Sequence, residues 1–117
     1  MVTIKYASRE LTKKEQYKMT LDNGIQSCKD IPDGTVIEVD AYCEFEDTKD
    51  NGETETVFSV LATDGSVYAC TSKTFARNVR EIADIYTEDG VVEKFSIAKM
   101  SGKTKAGKDF IMASLAD

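Results

Sequence analysis

Tyrosines at alternating strand positions and lysines gathered on a few connectors are the residues in this sequence that could act together on a ligand. Tyr42 falls with Glu38, Asp40 and Glu44 on the face opposite Ile37, Val39, Ala41, Cys43 and Phe45, the two-residue period of a half-buried strand. Tyr68 follows a turn at Asp64 and Gly65, and a two-residue hairpin there pairs Ala62 with Val67, Leu61 with Tyr68 and Val60 with Ala69. That register puts Ser59, Leu61 and Tyr68 on an outward face, and Phe58, Val60, Ala62, Val67 and Ala69 on the core face. Lys99, Lys103, Lys105 and Lys108 cluster near one edge, and Lys73 and Arg77 open a helix. Aromatic faces stack unpaired bases, each worth about 1–3 kcal/mol, while neighbouring cations track phosphates. A second reading stays open, in which the tyrosines cover a barrel end or an N-terminal extension and the lysines are simply solvated.

Other chemistries find less support. Histidine is absent from the 117 residues, which removes the commonest general base and transition-metal ligand. No nucleophile, base and orienting residue group together, so an enzyme is not expected. Gly102 to Lys108 spells G-x-x-x-x-G-K, yet Asp109 follows where a phosphate-binding loop needs a hydroxyl, and the next segment reads as a strand. Asp47 to Gly52 imitates the start of a calcium loop, but Lys49 occupies a ligand position and Phe58 the place of the closing glutamate. No metal and no cofactor are expected. Cys28, Cys43 and Cys70 are odd in number and widely spaced, and read as free thiols, with Cys43 as buried filler.

The net charge of −6 is unevenly spread. Residues 1–21 carry five basic and two acidic side chains, residues 22–66 two and twelve, and residues 91–117 five and three. A basic surface on an acidic protein is therefore feasible. The apolar runs are too short for a membrane span or a signal peptide, so an intracellular, cytoplasmic protein is expected.

The elements that must position these residues follow from periodicity and caps. Residues 2–6 look like a short strand, and Thr12 to Glu15 form a capping box opening a helix to about Leu21. Strands are expected over roughly 35–45, from about 56, from 67, over 93–100 and over 110–115. A helix capped by Ser72 and carrying Phe75, Val79, Ile82, Ala83 and Tyr86 on one face lies between the third and fourth. This is a mainly β fold, a five-stranded barrel of the oligonucleotide/oligosaccharide-binding (OB) type in the order β-β-β-α-β-β, with a strand-helix extension over 1–24 and the barrel over 35–115. One domain, 1–117, is expected. A half-open meander capped by the helix is the rival arrangement.

Three stretches, DGTVIEVDAY, TDGSVYACTSKTFARNVREI and FSIAKMSGKTKAGKDFIMASL, give the chain a resemblance to phage-encoded OB-fold single-stranded DNA-binding proteins of tailed phages and mobile elements of Gram-positive hosts. The resemblance implies a replication accessory that coats single strands without a cofactor, with Tyr68 and the Lys103 to Lys108 loop at the DNA. It also implies replication proteins as further partners. A long acidic C-terminal tail, a common partner-recruiting device, does not follow Leu115. Edge strands or the extension offer routes to a homo-oligomer. The alternative function is a protein-interaction module whose acidic middle segment imitates nucleic acid toward a basic host partner.

Overall fold

A computed structural model describes residues 1–116. Chain order is β1 (Val2–Ala7), α1 (Lys13–Thr20), β2 (Gln26–Ser27), β3 (Val36–Thr48), β4 (Thr54–Ala62), β5 (Val67–Cys70), α2 (Lys73–Ile85), β6 (Thr87–Glu88), β7 (Val91–Val92), β8 (Phe95–Lys103) and β9 (Asp109–Leu115). The fold is mainly β. One curled sheet runs β2-β5-β4-β3-β8-β9, and β1 adds to β3, while β6 and β7 form a small separate ribbon.

Long β3 makes this sheet possible, because its two halves serve different neighbours. Residues Val36 to Val39 pair with β8, residues Cys43 to Asp47 pair with β1, and β4 runs along the opposite edge. At the ends of the path β2, which pairs in parallel with β5, and β9 are not paired with each other. The helix α2 spans that gap: Ser72 Oγ donates to the Ile111 carbonyl at 3.4 Å, and the Ala113 N–H donates to Asn78 Oδ1 at 3.2 Å. The sheet is thus a half-open barrel, with the helix closing what strand pairing does not.

Both helices begin as their caps dictate. Thr12 accepts from the Glu15 N–H while the Glu15 carboxylate accepts from the Thr12 N–H, and Ser72 accepts from the Phe75 N–H at 3.1 Å. Phe75, Ala76, Val79 and Ala83 on α2 are buried against the concave side of the sheet, with Ile37, Val60, Phe95 and Ile97. Burying the larger of these, the phenylalanines, valines and isoleucines, stabilises by about 1.5–3 kcal/mol each.

Two local irregularities reverse the faces expected from strict alternation. The ladder between β3 and β4 skips Asp40, pairing Val39 with Ala62 and Ala41 with Leu61. Such a bulge inserts one residue and flips the parity beyond it. Ile37 and Val39 therefore share a cluster with Tyr42, whereas Ala41, Cys43 and Phe45 join a second cluster on the other side.

The hairpin between β4 and β5 differs in the same way. Leu61 pairs with Val67 and Val60 with Tyr68, one residue away from the expected register. Its loop has three residues, Thr63 to Gly65, because Gly65 is left-handed at φ 92° and the Ala62 N–H already bonds the Ser66 carbonyl. The slip sends Val67 to the second cluster and Tyr68 against the first, as a one-residue shift must.

The second cluster exists because the N-terminal extension covers the sheet's convex side. Leu11 and Met19 are buried there with Ala41, Cys43, Phe45, Leu61 and Val67, and Val2, Ile4 and Ala7 pack at the margin. Its cations also meet the acids of β3. Lys5 lies 3.2 Å from Glu46, Arg9 is 3.1 Å from Asp40, and the N-terminal ammonium is 3.7 Å from Asp47. The uneven charge along the chain is thereby partly cancelled across the fold.

Candidate functional site

The structure divides the ten residues expected at a ligand into two groups. Tyr42, Ser59, Leu61 and Lys99 are buried, which corrects their expected exposure. Tyr42 points inward because of the bulge at Asp40. Its ring lies 5.5 Å from Phe58 and meets Tyr6 edge-on at 6.4 Å, and burial raises its phenol above the ordinary value. Ser59 and Leu61 do lie on the expected side, but the extension packs over that side. Ser59 Oγ has no hydrogen-bond partner there.

Lys99 is 3 % exposed. Its Nζ donates to the Ile31 carbonyl at 2.9 Å, to Asp33 Oδ1 at 3.0 Å and to Ser101 Oγ at 3.3 Å. Ser101 also donates to Asp33 at 2.6 Å, and these two bonds, Ser101's first, hold the Asp33 carboxyl below its usual range. The ammonium pins the connector before β3 onto β8 and is not available to a phosphate. Tyr68 is half-buried against the main core, so it too departs from the outward face expected for it.

Lys73, Arg77, Lys103, Lys105 and Lys108 are exposed. Arg77 pairs with Glu81 at 3.6 Å along the helix, and Lys103 with Asp109 at 3.7 Å. Exposed pairs of this kind contribute little and are easily exchanged for another anion. The loop carrying the lysines is a tight turn. The Gly107 N–H bonds the Thr104 carbonyl at 2.8 Å, the Thr104 N–H bonds the Lys108 carbonyl at 2.9 Å, and Gly107 takes φ 82°. Lys105 and Lys108 project from it with no ion pair among the described residues.

Beside this turn a groove of about 770 Å³ lies between the β2–β5 edge and β9. Its walls include Lys29, Val57, Thr71 and Phe110, with the carboxylates of Glu55 and Asp109 at its margin. A second depression of about 330 Å³ meets it at Thr71 and Ser72 and carries Lys73 and Arg80. Arg80 is already engaged, donating to Tyr6 Oη at 2.6 Å and facing Glu44 at 3.6 Å.

Cys70 lines the groove and Cys28 is buried behind it. The hydrogen bond between their thiols, followed by burial, raises Cys28, and the same bond lowers Cys70. All three cysteines are free thiols, as expected from their number and spacing.

Two groove residues escaped the sequence reading. Lys29 sits in an aperiodic connector, where spacing carries no signal. Phe110 was readable: counting outward from the lysine turn places it opposite Gly102 in the β8–β9 hairpin, where an aromatic beside a glycine marks a close packing contact.

Residues 6–116 match the profile of a family described as phage single-stranded DNA-binding protein. The chain is 35 % identical over 95 residues to the single-stranded DNA-binding protein of Bacillus phage phi29, covering 79 % of this chain and 76 % of the relative. The corresponding proteins of Bacillus phages PZA and B103 are 35 % identical over 95 residues and 31 % over 90, covering 79 % and 74 % of this chain and 76 % and 73 % of theirs. No solved structure matches the chain. The match runs through the extension, the bulged strand, the helix and the lysine turn alike, and the chain belongs to the phage single-stranded DNA-binding protein family.

Proposed function

We propose that this chain binds and coats single-stranded DNA during phage or mobile-element replication and recombination, in the host cytoplasm, with no cofactor. Membership of the family supports the reading, and the observation that carries it to a place on the molecule is the groove between the β2–β5 edge and β9, beside the lysine turn. Lys29 lines the groove, Lys73 lines the adjoining depression, and Lys105 and Lys108 are carried on the turn that precedes Asp109 of the groove. We read the half-open sheet, with α2 between its third and fourth long strands, as one OB-type unit over 1–117, since such barrels bind oligonucleotides between the loops that flank this seam. No helix among the described residues is long and apolar enough to cross a membrane.

The competing reading, an acidic face for a basic protein partner, is weakened on β3: Asp40, Glu44, Glu46 and Asp47 are engaged by Arg9, Arg80, Lys5 and the N-terminus, while Glu38 is exposed without an ion pair among the described residues.

The test is fluorescence anisotropy of a labelled thirty-nucleotide oligothymidine strand at low and moderate salt, beside a duplex of equal length. Salt-sensitive binding to the single strand in preference to the duplex is expected. Equal affinity for both, or no binding at low salt, would overturn the proposal.

A further inference from the structure

The geometry points to Phe110 as a base-stacking platform that orients the bound nucleotide. This inference rests on the single-strand-binding reading and adds to it the contact that orients the nucleotide.

Ten aromatic side chains are available, five tyrosines and five phenylalanines. Phe45, Phe58, Phe75, Phe95 and Tyr42 are buried. Tyr6 is held by Arg80, which lies 5.9 Å over its ring, and Tyr86 stacks on Phe95 at 5.6 Å. Tyr68 is half-buried against the core, and Tyr17 is exposed on α1, on the extension. Phe110 alone among the described aromatics lines the groove while keeping part of its surface open.

Its ring is also held in place before any ligand arrives. Phe110 and Gly102 are directly opposed in the β8–β9 ladder. A Cβ placed on Gly102 would come within 2.7 Å of Phe110 Cζ and 3.0 Å of Met112 Cε. The ring therefore lies close against the glycine, and a larger residue at position 102 would have to push its far end aside. An aromatic fixed in this way loses little rotamer freedom when a base stacks on it.

Glu55 and Asp109 line the groove with Phe110, each paired with a lysine, Lys49 at 3.2 Å and Lys103 at 3.7 Å. Lys105 and Lys108 on the adjoining turn have no ion pair among the described residues and are the cations open to the phosphate next to a base stacked on the ring.

The chain contains no tryptophan, so Phe110→Trp introduces a single reporter at the site itself. Titration with the thirty-nucleotide oligothymidine should quench its emission with the same midpoint as the anisotropy of the labelled strand, at near wild-type affinity. Phe110→Leu keeps apolar volume without a π face, and should weaken binding roughly ten- to a hundredfold with an unchanged melting temperature. Wild-type affinity in Phe110→Leu, or tryptophan emission that stays constant while anisotropy saturates, would overturn the assignment and leave the binding function standing. Failure of the wild-type protein itself to bind the oligothymidine would instead remove the functional reading, and this inference with it.

Discussion

Replacing Lys99 with methionine separates a structural ammonium from a DNA-contacting one. Methionine retains most of the apolar stem and deletes the charge. The buried Ile31 carbonyl loses its donor, and an unsatisfied buried acceptor costs about 1–3 kcal/mol. Relief of the buried ammonium's own desolvation offsets part of this, leaving a net loss of about 1–2 kcal/mol. For a chain of this length each kcal/mol lowers the melting temperature by about 4 °C, so Lys99→Met should melt about 4–8 °C below the wild type by circular dichroism. Anisotropy measured well below both melting points should give the same affinity at each salt concentration, because Nζ reaches only Ile31, Asp33 and Ser101. An unchanged melting temperature together with a salt slope reduced by about 0.7, the loss of one phosphate contact to a single strand, would refute the reasoning and return Lys99 to the DNA.

The remaining expectations concern other parts of the fold. Tyr42→Ala leaves a hole beside Phe58 and should lower unfolding free energy by about 3 kcal/mol or more in urea titration; a loss below about 1 kcal/mol would contradict its burial. Lys105→Glu should flatten the salt dependence of single-strand binding by about 0.7 or more without altering the melting temperature, and an unaltered slope would place the phosphate path elsewhere. The hydrogen bonds from Arg9 and then from the Thr12 backbone hold the Glu15 carboxyl at about 2, down from 4.5. A depressed carboxyl contributes stability that is fully present above pH 4.5 and lost as pH falls through 2, so the melting gap between wild type and Glu15→Gln should be wide at pH 7 and close over that window. Gly65→Ala forces a Cβ into the left-handed region and should cost about 1 kcal/mol by thermal unfolding; no change would show that the loop can adopt the two-residue form.

Much of the architecture could be read because it is written locally. The capping box at Thr12, the Ser72 cap and the three- and four-residue spacing of Phe75, Val79 and Ala83 specify helices through contacts within one or two turns. Alternation from Ile37 onward specifies a strand in the same way. The lysines of the Lys103 to Lys108 turn are exposed, as their polar neighbourhood implies. The faces of the strands were less accessible. Alternation predicts a face only while pairing remains regular, and the skipped residue at Asp40 and the extra loop residue at Thr63 each invert it. Tyr42 and Tyr68 went astray for that reason alone.

For Ser59, Leu61 and Lys99 the cause lies further away in the chain. An outward-facing strand residue is exposed only if nothing else covers it, and Leu11 and Met19, both more than forty residues upstream of Leu61, cover the sheet on that side. Lys99 reads as a surface cation until the Ile31 carbonyl and Asp33, 68 and 66 residues away in sequence, fold around it. Element types, turns and the stock of cations and aromatics were legible in the chain alone, since these depend on period, caps and composition. Which aromatic meets the groove depends on how distant strands are brought together, because the gap between the β2–β5 edge and β9 and the glycine beneath Phe110 arise from that assembly.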